Sequence, residues 1–566
     1  MKLVVIGGVA GGASAAARVR RLDAKAEIVM LERGEHVSYS NCALPYYLSG
    51  TVADSDDLIL MSPKSFQAQH QIEARTNSEV ISIDRENKQV LVRDGLSGRE
   101  YTETYDKLVL SPGAKPILPG SIAGIDKEQV FAVRNVSDIC ALKSYLDKSD
   151  VKTVAVVGGG FIGIEIAENL VKAGKEVTLI EALDQILTTF DYDMVQILHK
   201  ELDDHGVSLH LSSTVTAIED GSVRVEKDGK EFTAPADAVV MAVGVTPETD
   251  LARAAGLEIG ESGGMKVNHN YQTSDPDIYA VGDGIEIFRK LTHDHGRLAL
   301  AGPAQWQARA AADHICGKAV RRKGYIGSSC LRVFDQNAAS TGLNVREALK
   351  AGYSCDSVML FPNDKLGLMP DSHYMAFKLT FEVPTGLILG AQAIGRGETD
   401  KRVDVIAAMI TMGASLEDLK ELELCYSPVF STAKDVVNQA ALVGLNVLEE
   451  NFRQVHVDQV RSLVEEGACI VDVREPGEYK RGHLKSAVNI PLSQLADRMD
   501  EIPRDIPVYL HCRSSQRSYY AICRLQGNGY RNLFNISGSF LGISLYEYYN
   551  DKTMGREPIL TKYNFN

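Results

Sequence analysis

The sequence predicts an α/β protein of several domains. Its 566 residues, 45% of them apolar, exceed what one hydrophobic core usually holds, so three or four domains are expected. A short buried strand, a glycine-rich turn, a helix and a second strand ending in an acid occur in this order twice, from Lys2 and from Thr153. A separate series of strands and turns begins near His456. These repeats of strand and helix are typical of parallel sheets covered by helices.

Composition and charge exclude several functional classes. The formal net charge is −15, so a nucleic-acid partner is not expected, although a local basic pocket could still bind an anionic ligand. The N-terminal run MKLVVIGG breaks at glycine and lacks the regions of a secretory signal. No window approaches 18 uninterrupted apolar residues, so no membrane span is predicted and a cytoplasmic location is expected.

The nine cysteines are scattered, odd in number and without a CxxC pair. This spacing disfavours structural disulfides and a zinc cluster, and no metal site is predicted. A reactive thiol must therefore be identified by its surroundings. The nine positions are Cys42, Cys140, Cys316, Cys330, Cys355, Cys425, Cys469, Cys512 and Cys523.

The first glycine turn, GGVAGG at residues 7–12, departs from the GxGxxG template because Val9 stands at the third position. Its context still favours a dinucleotide site: a strand precedes it, a helix follows, and Glu32 ends the next strand. Glycines allow the backbone to approach a pyrophosphate at the helix N-terminus, and a carboxylate can accept ribose hydroxyls. The alternative, a packed turn without a ligand, is disfavoured by this context.

The second turn, GGGFIG at residues 158–163, fits the template fully. Its strand ends at Glu181, and no arginine follows within several residues. Because a carboxylate repels a 2′-phosphate, NADH is favoured over NADPH at this turn.

With SPGA from Ser111 and YAVGDG from Tyr279, the two units resemble the two-dinucleotide pyridine nucleotide–disulfide oxidoreductase family over about Met1 to Leu445. The resemblance implies FAD in the first unit and NAD(P)H in the second. It also implies that Asp283 holds the ribityl or pyrophosphate part of the flavin. The implied cofactor-binding residues are Gly7, Val9, Ala10, Gly12, Glu32, Arg33, Ser111, Gly113, Gly282, Asp283, Ala301, Gly158, Gly160, Phe161, Ile162, Gly163, Glu181 and Gly244.

The segment SYSNCALPYY contains Cys42. Within that family, SxxNC marks a subgroup with one redox cysteine, and its combination with GGVAGG is similar to coenzyme A-disulfide reductases. The resemblance implies that Cys42 lies beside the flavin ring. We expect the start of a helix and the electron-poor ring to lower the pKa of this thiol. The alternative is a buried, unreactive cysteine.

A related branch of the family reduces oxygen or peroxide and resembles HAG in the first turn, where a histidine assists. Ala10 occupies the matching position here, which favours a sulfur substrate over an NADH oxidase.

Coenzyme A needs groups that bind phosphates. Arg18 and Arg21 are three residues apart on the predicted first helix and share a face, although a solvated face is the alternative. The RRK run at 321–323 is expected to be exposed. By the resemblance, the substrate channel is lined by Ser14, Arg18, Arg21, Ser38, Asn41 and His70, with Lys434 from the partner subunit.

The family also carries tyrosines that reach the active cysteine from the partner subunit. Tyr426 in CYSPVF matches one of them and implies a homodimer. A phenol there could give a proton to a leaving thiolate. The second expected segment, Tyr-Tyr-Pro-Gly, is absent, and whether Tyr374 replaces it stays open.

From ACIVDVRE to HCRSSQRSYY the C-terminal region resembles a rhodanese domain. A strand, Cys512, a short loop and a helix would aim backbone N–H groups at a thiolate or persulfide. Asp472 and Arg474 would brace this fold by resemblance, and Cys523 is expected in the core. A rhodanese fold without catalysis is the alternative. The loop comprises Arg513, Ser514, Ser515, Gln516, Arg517 and Ser518.

The sequence therefore predicts two Rossmann-like dinucleotide-binding domains, an α+β dimerisation domain and a C-terminal rhodanese-like α/β domain. The predicted ranges are 1–111 and 246–322 for FAD, 112–245 for NAD(P)H, 323–446 for dimerisation, 447–455 as linker and 456–566 for the rhodanese.

The resemblance implies an FAD-dependent NADH:persulfide or polysulfide reductase with coenzyme A in its channel, small-molecule sulfur substrates and a rhodanese that supplies sulfane sulfur. NADH would reduce FAD. Cys42 would form a mixed disulfide or persulfide with part of the substrate, and this bond would be reduced through the flavin. The alternatives are a coenzyme A-disulfide reductase, an NADH oxidase, and a redox-sensing sulfur carrier.

Overall fold

The computed structural model describes residues 1–148, 150–321 and 323–565 and divides into two compact units. Unit 1 comprises Met1–Asp184 and His210–Tyr325, and unit 2 comprises Gln185–Leu209 and Ile326–Asn566. Each unit contains helices around five-stranded sheets, which confirms the predicted α/β class. Within the run predicted to be exposed, Arg321 and Lys323 are exposed and Arg322 lies outside the described residues.

The first sheet of unit 1 forms around the apolar run at the N-terminus. Its central strand is fully buried at Leu3, Val4 and Val5, as expected for a parallel strand covered on both faces. The strands, in sheet order, are Ile278–Ala280, Lys107–Leu110, Lys2–Ile6, Glu27–Leu31 and Glu73–Arg75. The helices of this part are Ala10–Leu22, Leu44–Leu48, Pro63–His70, Asp250–Ala254 and Ala301–Ile315, with 3₁₀ turns at Asn41–Ala43 and Ser55–Leu58.

The second sheet has the same arrangement around Thr153–Val157. Its strands, in sheet order, are Ser208–His210, Glu176–Ile180, Thr153–Val157, Ala238–Met241 and Val130–Phe131. The helices Val136–Leu146 and Phe161–Lys172 accompany it. Each sheet has an antiparallel meander beside it, formed by Ser78–Asp84, Gln89–Asp94 and Glu100–Thr104, and by Thr214–Glu219, Ser222–Lys227 and Lys230–Pro235. Two short pairs complete unit 1: Ala114–Pro116 with Val245–Pro247, and Ile287–Phe288 with His295–Gly296.

Unit 2 contains an antiparallel sheet that matches the predicted dimerisation domain. Its strands, in sheet order, are Ser328–Val333, Gln336–Gly342, Ile388–Gly395, Met375–Glu382 and Cys355–Leu360. Nearly every residue of the strands Ile388–Gly395 and Met375–Glu382 is buried, because helices cover one face of the sheet and other parts of unit 2 cover the other face. The helices are Val345–Lys350, Thr399–Met412, Leu416–Lys420 and Val436–Leu448.

A parallel sheet forms the C-terminal part of unit 2. Its strands, in sheet order, are Arg453–Val455, Leu533–Ile536, Val508–His511, Cys469–Asp472 and Val488–Asn489. The helices are Val460–Glu465, Pro476–Lys480, Leu495–Arg498, Gln516–Gly527 and Ser539–Met554, with 3₁₀ turns at Val457–Gln459, Leu492–Gln494 and Met499–Glu501.

The prediction of a polar linker at 447–455 is wrong in its extent. The preceding helix continues to Leu448, and Arg453–Val455 pairs in parallel with Phe534 to Ile536 as the edge strand of the last sheet. Only residues 449–452, between this helix and this strand, have no regular secondary structure. Polar composition was misleading because edge strands keep polar residues facing water.

A second difference concerns the helix Tyr192–Asp204. The sequence placed it inside the NAD(P)H domain, but Gln185–Leu209 groups with unit 2. The helix packs against Ser539–Met554, and Lys378 forms ion pairs with Asp191 and Asp193, at 3.0 and 2.7 Å. These two carboxylates raise the pKa of the buried Lys378 ammonium despite its desolvation. The remaining domain boundaries stay predictions.

No helix among the described residues is long and apolar enough to cross a membrane. All nine cysteines lie in the described ranges, and each is a free thiol. Cys523, predicted to be core, is exposed, because the helix Gln516–Gly527 buries Ile522 and Leu525 instead. That prediction was wrong.

Candidate functional site

Both glycine turns owe their shape to two close backbone approaches. Gly7 has φ +94° and Gly158 has φ +112°, a region that side chains disfavour. A Cβ atom at Gly7 would lie 2.1 Å from the carbonyl oxygen of Ser111, and one at Gly12 would lie 1.8 Å from that of Gly7. In the second turn, Gly163 has the same relation to Gly158, at 1.9 Å. Only glycine fits at these positions, and each turn opens a helix, Ala10–Leu22 or Phe161–Lys172.

The second turn explains why Val9 is tolerated in the first. Gly160 is the matching residue, and a Cβ atom there would meet nothing within 4 Å. Val9 has φ −102° and Gly160 φ −77°, both accessible to any residue. The departure from the template therefore falls at a place where packing does not require glycine.

The two strand-end acids adopt matching geometries. Glu32 accepts the backbone N–H of Gly8 and of Gly34, both at 2.8 Å. Glu181 accepts those of Gly159 at 2.6 Å and Leu183 at 2.8 Å. Each carboxylate is thus fixed beside its glycine turn, where it can accept ribose hydroxyls and oppose a 2′-phosphate.

Further residues at the first turn fit FAD. Ser111 follows the strand Lys107–Leu110, which pairs with Lys2–Ile6, and Gly282 and Asp283 follow Ile278–Ala280, the next strand of the same sheet. All three therefore reach the edge of the sheet near Gly7. The buried amide of Gln307 accepts the N–H of Gly282 at 2.7 Å, while its Nε2 has no partner in the described chain. An unpaired buried donor beside this turn is what a polar cofactor would satisfy.

The other predicted cofactor residues differ in their surroundings. Arg33 is exposed and pairs with Glu248, at 2.6 Å. Gly113 and Gly244 have positive φ, of +75° and +112°, and each directly precedes one of the two paired short strands, Ala114–Pro116 and Val245–Pro247. The remaining ones sit at helix starts: Ala10, Ala301, Phe161 and Ile162.

Cys42 lies on a single 3₁₀ turn, Asn41–Ala43, followed by a helix of only five residues. Its side chain is exposed, and partial desolvation followed by the carboxylates of Glu165 and Asp283 raises its pKa. The expectation that the protein lowers this pKa through a helix start is therefore wrong for the chain itself. A short turn has too few aligned peptides for a strong dipole, and the nearby charges are negative.

Glu165 was missed at the sequence level. It lies on the helix Phe161–Lys172, and burial followed by the charge of Glu168 raises its pKa to about 7. The available signal was a carboxylate between two isoleucines in the helical run FIGIEIAENL, where a half-buried acid needs a reason.

The predicted substrate residues of unit 1 fall into two groups. Ser14, Arg18 and Arg21 lie on the helix Ala10–Leu22, but the guanidinium of Arg18 is paired with Asp313, at 2.6 Å. Arg21 remains exposed. On the shared helix face, Arg18 is therefore engaged by the neighbouring helix Ala301–Ile315, whereas Arg21 faces solvent.

The second group surrounds Cys42 in sequence. Ser38 has φ +49°; its backbone N–H donates to the carbonyl of Gly8, and its carbonyl accepts the N–H of Leu60. The side chain of Asn41 donates to the carbonyl of Arg134, at 3.1 Å. His70 ends the helix Pro63–His70. The roles of all these residues stay predictions.

Tyr426 and Lys434 belong to unit 2, and both are exposed. Tyr426 is followed by Val429 and Phe430, which expose 53% and 69% of their surface, so the segment forms an uncovered apolar patch. Such a patch is typical of a surface that meets another chain.

Cys512 has a different setting at the end of the strand Val508–His511. It is 1% exposed; its N–H donates to Ser539 Oγ at 3.2 Å, and its carbonyl accepts the N–H of Phe540 at 3.1 Å. Ser518 Oγ lies 3.8 Å from the sulfur. The loop after Cys512 contains Ser515 at φ +73° and leads into the helix Gln516–Gly527.

A cavity of 270 Å³ opens above Cys512, and it is strongly basic. Its lining includes four arginines, Arg474, Arg481, Arg513 and Arg517, and one acid, Glu478. Arg517 holds Glu478 through two hydrogen bonds of 2.6 and 2.7 Å. The excess of positive charge suits an anionic sulfur compound. Ser514 and Gln516 also line the cavity.

Arg474 is the structural member of this group. It is 1% exposed and forms a bidentate ion pair with Asp472, at 2.6 to 3.0 Å. Its guanidinium also stacks 3.8 Å above the ring of Phe540. The ion pair fixes the end of the strand Cys469–Asp472, and the stacking on Phe540 ties this end to the helix Ser539–Met554, so Arg474 braces the cavity that it lines.

One group of possible metal ligands occurs in the described ranges: Glu201, His205 and Asp335, within 4.8 Å of one another. Glu201 already accepts the N–H of Asp335 at 3.0 Å, and His205 stacks on Phe334 at 4.0 Å. These contacts give the three residues a structural role in joining a helix to a turn.

Comparisons with known proteins agree with this geometry. Residues 1–308 match the model of the pyridine nucleotide-disulphide oxidoreductase family, residues 329–436 that of its dimerisation domain, and residues 456–545 that of the rhodanese-like domain. A coenzyme A disulfide reductase of Staphylococcus haemolyticus is 31% identical over 438 residues, which is 77% of this chain and 98% of that protein.

Two solved structures resemble nearly the whole chain. Reduced Bacillus anthracis CoADR-RHD is 39% identical with a TM-score of 0.93, over 96% of this chain and 98% of its own. A NAD-dependent persulfide reductase from A. fulgidus is 33% identical with a TM-score of 0.90, over 95% and 99%.

Proposed function

The chain belongs to the pyridine nucleotide-disulphide oxidoreductase family, and from this premise we propose that it is an NADH-dependent reductase of persulfides and polysulfides with Cys42 as its redox cysteine. It is an NAD(P)H-dependent flavoprotein oxidoreductase acting on a sulfur group. The proposal concerns which sulfur compound it reduces and how its two thiols divide the work.

The first glycine turn, Glu32 and the segment Gly282–Asp283 would hold FAD, and the second turn with Glu181 would hold NADH. FAD supplies the transfer of two electrons from the nicotinamide to sulfur. The Cys42 thiolate attacks a sulfur of the substrate, one S–S bond breaks, and a thiolate or sulfide leaves with the electron pair. Glu165, whose pKa is about 7, is about half protonated at neutral pH and can exchange a proton near this thiol.

The observation that carries the proposal is the basic cavity above Cys512. A reductase that only split disulfides would have no use for a second buried thiol among four arginines. A thiol that stores sulfane sulfur as a persulfide anion has such a use, because the arginines stabilise that anion. Cys512 would thus supply sulfur for reduction at Cys42.

Coenzyme A and a partner subunit complete the proposed site. Arg21, exposed on the first helix, is available for a phosphate of coenzyme A, whereas Arg18 must first leave Asp313. The dimerisation domain supports a homodimer. The exposed patch at Tyr426 to Phe430 supports the idea that Tyr426 and Lys434 act across subunits.

The second candidate is a coenzyme A-disulfide reductase, favoured by the 31% identity to the staphylococcal protein of that name. It leaves the Cys512 cavity without a role. An NADH oxidase is disfavoured by Ala10, and a redox-sensing sulfur carrier by the close packing of both glycine turns.

The test is anaerobic NADH oxidation with coenzyme A persulfide, polysulfide or coenzyme A disulfide as acceptor. We expect fast turnover on the sulfane acceptors and a loss of at least about a thousandfold in Cys42→Ser, because the nucleophile is removed. Cys512→Ser should keep turnover on small soluble acceptors and slow only elemental or bulky sulfur. Faster turnover of wild type on the disulfide would move the assignment to the second candidate.

A further inference from the structure

The cavity above Cys512 is not built by the rhodanese region alone. All but two of its lining residues fall within the range matched to the rhodanese model. The exceptions are Asn564, near the C-terminus, and Tyr374, which belongs to the range matched to the dimerisation domain. Among the described lining residues, Tyr374 is the only aromatic one.

Tyr374 is held at the cavity by a firmly bonded hairpin. The residue directly precedes the buried strand Met375–Glu382. Met375 N–H donates to the carbonyl of Pro362 at 2.9 Å, and Asp364 N–H donates to that of His373 at 2.9 Å. Arg402 anchors the same hairpin through the carbonyl of Asp364, at 3.0 Å. The backbone of Tyr374 is therefore fixed, and only its side-chain rotation is free.

The same sheet also supports the floor of the cavity. Met359, on the strand paired with Met375–Glu382, donates its N–H to Ser537 Oγ at 3.4 Å. A Cβ atom at Gly538 would lie 3.0 Å from the sulfur of Met359, so the two residues are closely packed. Gly538 and Ser539 begin the helix whose Ser539 hydroxyl holds Cys512. Thus the antiparallel sheet fixes the Cys512 loop from below and places Tyr374 on its wall.

Among the described lining residues, Tyr374 is the only long side chain with a neutral O–H donor. The other N–H and O–H donors are the guanidinium groups, two amides and the short hydroxyl of Ser514. Tyr374 exposes 47% of its surface, so its phenol lies at the rim beside solvent. Pockets that enclose drug-sized ligands measure about 300–1,000 Å³. At 270 Å³, this one suits a small persulfide or the terminal part of a longer thiol.

We propose that Tyr374 is a substrate-contacting residue of the Cys512 site, where its phenol binds the leaving thiolate and limits the size of the sulfur donor. This rests on the proposed role of Cys512 as a sulfur carrier. The Cys512 thiolate attacks the outer sulfur of R–S–SH, the S–S bond breaks, and R–S⁻ leaves with the electron pair as Cys512–S–SH forms. No outside oxidant is needed, because the sulfane sulfur moves from one thiol to another.

The test measures formation of the Cys512 persulfide without NADH, under anaerobic conditions, by rapid quench and mass spectrometry of the full-length protein. The donors are cysteine persulfide and coenzyme A persulfide. Tyr374→Phe should slow loading at saturating donor about tenfold, because a hydrogen bond to a charged sulfur is lost. Tyr374→Ala should raise the ratio of loading by the coenzyme A donor to loading by the cysteine donor at least about threefold, which a merely structural role would not do.

The matched control is Leu368→Ala, an exposed residue in the same hairpin that does not line the cavity. It should load at the wild-type rate. Equal loading in wild type and Tyr374→Phe, with an unchanged donor ratio in Tyr374→Ala, would overturn this inference alone. Absence of loading in wild type would overturn the carrier role of Cys512 as well, so the two failures are distinguishable.

Discussion

Cys42 and Cys512 have opposite environments in one chain. Cys42 is exposed on a single 3₁₀ turn, and the nearest ionisable groups that affect it are the carboxylates of Glu165 and Asp283. Cys512 is buried at a strand end, fixed by Ser539, and faces a cavity lined by four arginines. The first setting places negative charge beside the thiol, and the second places positive charge around it.

This difference indicates which groups must stabilise a sulfur anion at each site. At Cys42 the protein alone raises the thiol pKa, so stabilisation of the thiolate must come from the flavin and the substrate. At Cys512 the chain itself supplies the positive charge, so a sulfur anion can be stabilised before any cofactor binds. A site completed by cofactors suits electron transfer, and a site complete in itself suits storage.

The largest expected effect concerns the buried ion pair between Arg474 and Asp472 at the Cys512 site. Arg474→Met leaves Asp472, fully buried, without its charge partner, and should cost about 3–5 kcal/mol in the unfolding free energy of the C-terminal region. Chemical denaturation followed by hydrogen exchange of residues 456–565 measures it. The control Arg498→Met removes an exposed pair with Glu501 and should lower the unfolding free energy far less, because water screens this pair. Equal costs for the two variants would contradict the structural role of Arg474.

The next effect concerns the charge of the cavity. Arg517→Gln removes one guanidinium and frees the carboxylate of Glu478 toward Cys512. We expect persulfide formation at Cys512 to slow about tenfold, because a nearby charge of the right sign is worth about 1–2 kcal/mol in such a site. Rapid-quench mass spectrometry measures the rate. Arg524→Gln, exposed on the same helix, is the control and should have no effect. Unchanged loading in Arg517→Gln would show that the cavity charge is not used.

A smaller and opposite effect is expected at Cys42. Glu165→Gln removes a negative charge, so the pKa of Cys42 falls and its alkylation by iodoacetamide speeds up about three- to fivefold. Since the pKa of Glu165 is about 7, the gain should be full above pH 8 and vanish below pH 6, where Glu165 is already protonated. The exposed Glu176→Gln serves as control. A gain that does not depend on pH would contradict this explanation.

The smallest effect is expected at a third thiol. Cys523→Ser changes an exposed cysteine on the helix that begins at the Cys512 loop. Persulfide loading and NADH-dependent turnover should both stay within about twofold of wild type, because surface substitutions away from a site change little. Both assays are run on the same preparation. A larger loss would show that Cys523 takes part in sulfur transfer and that the chain uses three thiols.

The two glycine turns show how far local patterns can predict a site. The turns, their strand-end acids and the helices that follow them depend on residues within about thirty positions of one another, so periodicity and glycine spacing were enough. Val9 could be judged only with the structure, because the space beside Gly160 depends on surrounding elements.

The sequence by itself determined the α/β class, both glycine turns, the two cysteines and the basic loop after Cys512. Only the tertiary structure decided that Arg18 pairs with Asp313, 295 residues away, that Glu165 lies near Cys42, and that Tyr374 lines the Cys512 cavity. The physical reason is that secondary structure follows local backbone preferences and side-chain periodicity. Desolvation, charge pairing and cavity shape depend instead on segments brought together from distant parts of the chain.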